Sequence, residues 1–168
     1  MALDPEAKAG NIKGSIKQYV STALAATFVA ARIDYGGGVQ FSDAGLPEWL
    51  QVRVLEPARP ATGLGPFDGA GHFARDIYWV VNLNIFVRPA QQATLNNLRL
   101  DVLRDAVLAA FSEQTILPVS DYLGTSGALG NLVVFDVLRD APVVDEERKA
   151  ELLQHSLAVA CRWRESWV

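Results

Sequence analysis

The chain has 168 residues, 50% of them hydrophobic and 20% charged; that is one ordinary domain, able to bury roughly 70% of its unfolded surface without a staple. Fifteen basic against nineteen acidic residues leave a net charge of −4, which excludes disorder by repulsion and argues against general affinity for nucleic acid. A single cysteine, Cys161, excludes an internal disulfide framework and a multi-cysteine zinc site, and two histidines far apart leave only scattered metal ligands.

Asp4, Pro5 and Glu6 precede the first basic residue, unlike a secretory n-region. The apolar run Ala23–Ala31 is interrupted by Thr27 and is far shorter than the ~20 residues that span a bilayer. The expectation is a single domain over residues 1–168, soluble and made in a reducing cytoplasm. The charged share lies below the usual ~25%, a first hint of a subunit that covers part of its surface with neighbours.

The first predicted element is a helix from about Lys13 to Arg32. Ile16, Tyr19, Val20, Ala23, Leu24 and Phe28 recur at helical spacing, Asn11 or Ser15 is the candidate N-cap, and Gly36-Gly37-Gly38 stops it. A strand follows over Glu48–Glu56, where Leu50, Val52 and Val54 alternate with Gln51 and Arg53. Pro57 ends it and opens a loop to Gly71 with three prolines and four glycines in fifteen residues, longer than most connections in a compact domain. The next strand, Phe73–Val87, is the clearest in the chain. Ile77, Trp79, Val81, Leu83, Ile85 and Val87 share one face; Asp76, Tyr78, Val80, Asn82, Asn84 and Phe86 share the other. Its length predicts a β-hairpin that projects from the body.

A second helix is expected over Gln91–Ser112, with Leu95, Leu98, Val102, Ala106 and Ala109 as its apolar stripe, widened by Leu103 and Val107. Asp101, Arg104 and Asp105 read as its solvated side, balanced with Arg99. A Gly/Ser/Thr-rich loop over Ser120–Gly130 leads to a strand at Asn131–Leu138. One or two charged helical turns follow at Asp145–Glu151, then a last strand at Leu153–Arg164. The expected fold is α+β: a mainly antiparallel four-stranded sheet, two long helices packed on one face, and the projecting hairpin.

Three motifs suggest chemistry and each has a plainer explanation. Gly63-Leu64-Gly65 with Gly69 and Gly71 lacks the preceding strand and following helix of a dinucleotide loop, and Asp68 would repel phosphate. Gly124-Thr125-Ser126-Gly127-Ala128 falls one residue short of a nucleophile elbow and precedes a strand; His155 with Asp136 or Asp140 would have to complete it. Neither His72 nor His155 has a partner visible in sequence. Asp101/Asp105 and Glu146/Glu147 are explained by solvated charged faces, and Cys161, in step with Leu157 and Val159, reads as a buried inert thiol. No catalytic residue, cofactor or metal is expected. Asn82 and Asn84, poor strand residues, suggest a polar contact, and Trp163 and Trp167 with Arg162 and Arg164 suggest an interface.

The order of elements resembles the tail terminator proteins of long-tailed bacteriophages, also called tail completion or neck proteins. The likeness runs from the opening helix through Glu48-Trp49-Leu50-Gln51-Val52-Arg53-Val54 and the loop into Tyr78–Val87. It continues through the helix at Leu95–Phe111 and the strands Leu132–Leu138 and Ser156–Arg164. It implies a non-enzymatic virion protein, present in the host cytoplasm during assembly. As a hexameric ring on the head-proximal end of the tail tube it would halt tube polymerisation and meet the head–tail connector. DNA would pass through its lumen without specific binding, and no membrane would be involved. The candidate contact residues are Phe67, Asp68, His72, Arg75, Asp76, Tyr78, Asn82 and Asn84 on the hairpin, and Arg162, Arg164 and Trp167 on the last strand. The alternatives are a connector or stopper subunit of the same neck, or a small-molecule-binding or hydrolytic α+β domain using Thr125, Ser126 and His155.

Overall fold

The computed structural model describes residues 5–36, 41–56, 73–89, 93–122, 127–143 and 152–167. Helix α1 (Pro5–Ala23) comes first, then a 3-10 turn at Ala30–Arg32 and strand β1 (Ile33–Asp34). β2 (Glu48–Leu55), β3 (Phe73–Val87), α2 (Ala93–Ala110), β4 (Ile116–Ser120), β5 (Ala128–Val143) and β6 (Leu153–Trp167) follow. The strands form one sheet in the order β1-β2-β3-β6-β5-β4, with β1 parallel to β2 and every other pair antiparallel.

The α+β class stands, but the four-stranded antiparallel sheet does not: the sheet has six strands, is mixed and curls into a half-barrel. The two strands missing from the sequence reading are the edges. β1 has two residues, too few for any alternation, and β4 has five with Pro118 in the middle. Proline is tolerated there because an edge strand leaves one row of its backbone unpaired.

The alternation of β3 is realised in full. Ile77, Trp79, Val81, Leu83, Ile85 and Val87 are buried and join Leu50 and Val52 of β2 with Leu157, Val159, Cys161 and Trp163 of β6. Leu132 and Val134 of β5 and Leu117 and Val119 of β4 complete this inner face, and Ile12, Ile16, Val20, Leu100, Leu103, Val107 and Phe111 of the helices pack on it.

α1 begins and ends earlier than its apolar spacing predicts. Leu24 and Phe28 are still core residues, held by a turn in which the Phe28 N–H bonds to the Leu24 carbonyl at 2.8 Å. Asn11 and Ser15 are not caps. They lie inside α1, buried, and fasten it to the end of β4. Asn11 Oδ1 accepts from the Tyr122 N–H (2.8 Å), Asn11 Nδ2 donates to Asp121 (3.1 Å), and Ser15 Oγ accepts from the Ser120 N–H (3.0 Å). Gly14 sits between them because a Cβ there would come within 2.9 Å of the Tyr122 ring.

The projecting hairpin also changes partners. β2 stops with Leu55 opposite Val80, whereas β3 continues to Phe73 paired with Trp167 of β6. β5 reaches β6 only as far as Val133 opposite Arg162. Among the described residues, the ribbon that outruns its neighbours is therefore β3–β6, Phe73–Ile77 against Trp163–Trp167; the loop of the expected β2–β3 hairpin lies outside them.

Replacing Asn11 by Ala strands the Tyr122 N–H beside the buried helix, so we expect a loss of about 1–3 kcal/mol in urea unfolding. Lys13→Ala, which removes an exposed ion pair to Glu56, is expected to cost less than about 1 kcal/mol.

Candidate functional site

The outer face of the sheet carries five of the eleven residues that the sequence marks as contacts, Asp76, Tyr78, Asn82, Asn84 and Arg162, and its rows can be read along β3. At one end Trp49 stacks on Phe86 (centroids 4.8 Å apart) beneath the Arg88 guanidinium, which also bonds to Leu46 and Asp43. Next comes a polar row in register across four strands, Asp34, Gln51, Asn84 and Ser156. Asn84 Nδ2 donates to Gln51 Oε1 (3.2 Å) and Gln51 Nε2 to Asp34 (3.4 Å). Asp34 also receives Arg53 at 2.6 Å and the Gly36 N–H. Burial raises its carboxyl pKa but the Arg53, Gly36 and Gln51 hydrogen bonds outweigh that, so it sits below the ordinary value. The polar contact expected of Asn84 is thus an internal one. Asn82, half-buried, pairs in register with Arg53 and Ala158.

Towards the ribbon the face gains apolar residues. Leu55, Val80, Ala160 and Asp136 share one row; Tyr78, Arg162, Val133 and Ile116 share the next, each opposite the last across β3, β6, β5 and β4. Phe135 projects beside them from a β-bulge in β5, the extra residue between Val134 and Asp136. Its ring meets Tyr78 edge-on at 5.3 Å and the Arg162 guanidinium at 5.8 Å, and Arg162 reaches Asp76 at 4.0 Å. Tyr78 is 42% exposed, Phe135 45% and Ile116 57%. Single exposed apolar residues need no explanation, whereas Tyr78, Phe135 and Ile116 gathered around Arg162 and Val133 form a mixed apolar and basic patch.

Three of the expected contacts, Asp76, Tyr78 and Arg162, therefore converge here. Arg75, Arg164 and Trp167 belong to the ribbon, with Arg75 opposite Glu165, Asp76 opposite Arg164 and Phe73 opposite Trp167. Phe67, Asp68 and His72, with the Pro/Gly loop, lie outside the described residues, as do Thr125, Ser126, Glu146 and Glu147. Trp163 is a core residue rather than a contact: it is buried on the inner face, its ring against Gly130, where a Cβ would approach to 3.0 Å. Phe135 and Ile116 were not singled out by sequence. The alternation that would have flagged Phe135 is broken by the bulge, and Ile116 sits on the unrecognised β4.

Two arginine clamps secure α2 over the inner face. Arg99 grips buried Glu48 with two hydrogen bonds (2.6 and 2.7 Å), and Arg32 adds a third contact at 3.3 Å. The Arg99 hydrogen bonds, then the Arg99 and Arg32 charges, hold the Glu48 carboxyl below its usual range against the effect of burial. Arg104 grips Asp140 of β5 the same way, and His155 Nε2 lies 2.6 Å from Asp140 Oδ1. Arg99 and Arg104 thus serve distant carboxylates, although Arg104 also touches Asp105 at 2.9 Å. His155 does have a carboxylate neighbour, and the trio is packed as a clamp: the helix side chains fill the space between α2 and the sheet. Cys161 is buried as expected, and burial pushes its thiol up to about 12.

Among the described residues no group of three His, Cys, Asp or Glu side chains is placed to hold a metal ion, and no helix is long and apolar enough to cross a membrane. In comparison with known proteins, the chain matches no family model and no curated protein.

Arg104 first, then His155, draws the Asp140 carboxyl from 3.8 down to about 2. A depressed carboxyl contributes stability that is complete above its unfolded value and is lost as pH falls through the folded one. The wild-type urea midpoint should therefore drop between about pH 4 and about pH 2. Asp140→Asn should start lower near neutral pH and fall less over that interval. Parallel curves for the two proteins would remove Asp140 from the acid response.

Proposed function

We propose that the chain is a structural subunit of the neck of a long-tailed bacteriophage, of the tail-terminator kind. Copies of it form a hexameric ring on the head-proximal end of the tail tube, stop the tube growing and offer a surface to the head–tail connector. The observation that carries this reading is the patch on the outer face, exposed Tyr78, Phe135 and Ile116 around Arg162 and Val133, at the root of the β3–β6 ribbon. A chain that worked alone would leave this surface wet for no gain; a subunit covers it.

Three further features support the assembly role over catalysis. Where α2 covers the sheet, Leu100, Leu103, Val107 and Phe111 join the β3 and β6 side chains in one buried cluster, a filled layer rather than a substrate pocket. His155, the one histidine within the described residues, is held against a carboxylate that Arg104 already grips on two oxygens. The net charge of −4 suits a lumen through which DNA must slide without adhering. In this reading the protein is not an enzyme, needs no cofactor and has no membrane partner; its partners are its own copies, the tube protein and the connector.

The test is a capping assay with preformed tail tubes, read by electron microscopy as tube length and as joining to heads. The wild-type protein should fix tube length, and Tyr78→Ser with Phe135→Ser should raise the concentration needed at least about tenfold, as loss of an aromatic hot spot does. Its near-ultraviolet dichroism should remain native. A double variant that caps like the wild type would show that the outer row is not the contact, and a wild-type protein that leaves tube growth unchanged would overturn the terminator reading.

A further inference from the structure

Helix α2 is apolar on two sides. The residues it buries are Leu100, Leu103, Val107 and Phe111. Leu98 and Val102, which the sequence assigns to the core stripe, face out at 59% and 48% exposure. Asp101, Asp105 and Ala109 are exposed as well, and all five fall on one ridge at helical spacing. Of the arginines flanking this ridge, Arg99 is drawn away to Glu48, and Arg104 spans Asp140 and the ridge's own Asp105. Asp101 has no cation beside it among the described residues, so the ridge is both apolar and acidic.

Elsewhere on the molecule lies its counterpart. Between α1 and the β1–β2 edge is an open cleft of about 250 Å³ lined by Lys13, Lys17, Tyr35, Val52, Arg53 and Val54, with Gly36 at its end. Its walls are valine and tyrosine and its rim is basic. Lys13 is paired with Glu56 at 2.6 Å and Arg53 with Asp34 at 2.6 Å. Lys17 is exposed, lies 5.8 Å over the Tyr35 ring and has no carboxylate among the described residues.

We infer that the cleft receives the α2 ridge of a second copy of this chain, with Leu98 and Val102 against Tyr35 and Val54, with Asp101 facing Lys17, and with the Asp105–Arg104 pair beside the Lys13–Glu56 pair. The inference deepens the ring reading and rests on it. Charge and spacing both favour the match: Asp101/Asp105 and Lys13/Lys17 are each four residues apart on a helix, about 6 Å along the axis, so two helices laid side by side bring both pairs into register. Each chain carries both patches in different places, and their union is therefore heterologous, the type of contact that repeats head to tail and closes into a ring. An exposed apolar ridge and an unmatched lysine, unexplained separately, are explained together.

The experiment is light scattering over a concentration series for the full chain and for Lys17→Glu, Asp101→Lys and the double reversal, with urea unfolding as the fold control. Both positions are exposed, so stability should change little. The wild type should self-associate, and less so at about 0.5 M salt, where exposed charges are screened. Each single reversal should raise the concentration for half-association at least about tenfold, and the double reversal should restore it. Single reversals without effect, or a double reversal without rescue, overturn the contact. So does loss with Lys17→Glu but not with Asp101→Lys, which would assign the cleft to an anion or another protein. A wild type that stays monomeric throughout also overturns it, while tube capping, measured separately, still decides the terminator reading.

Discussion

The fold depends on α1 being gripped from both sides by one sheet. Around this helix, Ile12, Ile16 and Val20 point into the core. Asn11 and Ser15 flank that stripe on one side and bond to the backbone at the end of β4. Lys13 and Lys17 flank it on the other and meet Glu56, just beyond β2, and Tyr35, just beyond β1. The two ends of the strand order thus converge on one helix, which is only possible because the sheet curls. A flat sheet of six strands would hold its edges roughly 24 Å apart at the usual ~4.8 Å spacing, too far for one helix to touch both. Closure by α1 also answers the edge problem: the short outer strands β1 and β4 each lie beside helix side chains instead of presenting a long bare edge.

With α1 lodged in the half-barrel, α2 has to cover what is left, and its polar anchoring follows from that. It crosses the central strands β3 and β6 with Arg99 reaching the start of β2 and Arg104 reaching β5. Both arginines meet carboxylates in two-pronged geometry, which fixes direction as well as distance. Glu48 is nearly buried, so taking away Arg99 would leave its charge to the single, longer Arg32 contact; the role of Arg99 is better described as orientation of α2 than as net stabilisation. The Tyr19 hydroxyl, donating to the Ala110 carbonyl at 2.5 Å, ties the end of α2 back to α1, with the Tyr19 ring edge-on to Phe111.

How much of this was legible depended on how long each pattern ran. β3 was read residue for residue because fifteen alternating positions leave no competing register. β2 and β6 were placed to within a few residues for the same reason. β1 and β4 left too short a trace. α2 was located correctly but its stripe was centred off: Leu103 and Val107, which widen it, are buried, whereas Leu98, Val102 and Ala109 face out, and periodicity alone cannot rank two overlapping apolar faces. Only the sheet, through Glu48 and Asp140, selects which one is buried. Asn11 and Ser15 resemble caps in sequence because the same hydroxyl and amide groups satisfy either a helix end or a neighbouring strand. The three outer-face residues that sequence did find, Asp76, Tyr78 and Arg162, are on the longest strands, where alternation assigns a face unambiguously.

β5 shows why the apolar surface is where it is. Its first part pairs with β4, and its later part, from Val133, with β6. The hand-over is accompanied by two bulges, at Phe135 and Leu138, and these extra residues are 45% and 54% exposed. Each bulge adds twist and interrupts the row of backbone donors and acceptors that another strand would need. Beyond the contact with Thr115, the outer edge of β5 has no strand beside it among the described residues, and the bulges make that edge a poor template for indiscriminate pairing. The same two insertions move a phenylalanine and a leucine from the strand's pleat into solvent. A device that protects an open edge from wrong partners thereby adds side chains to the surface, and in the proposed assembly recognition at this end of the sheet falls to Phe135, Tyr78 and Arg162 rather than to the backbone.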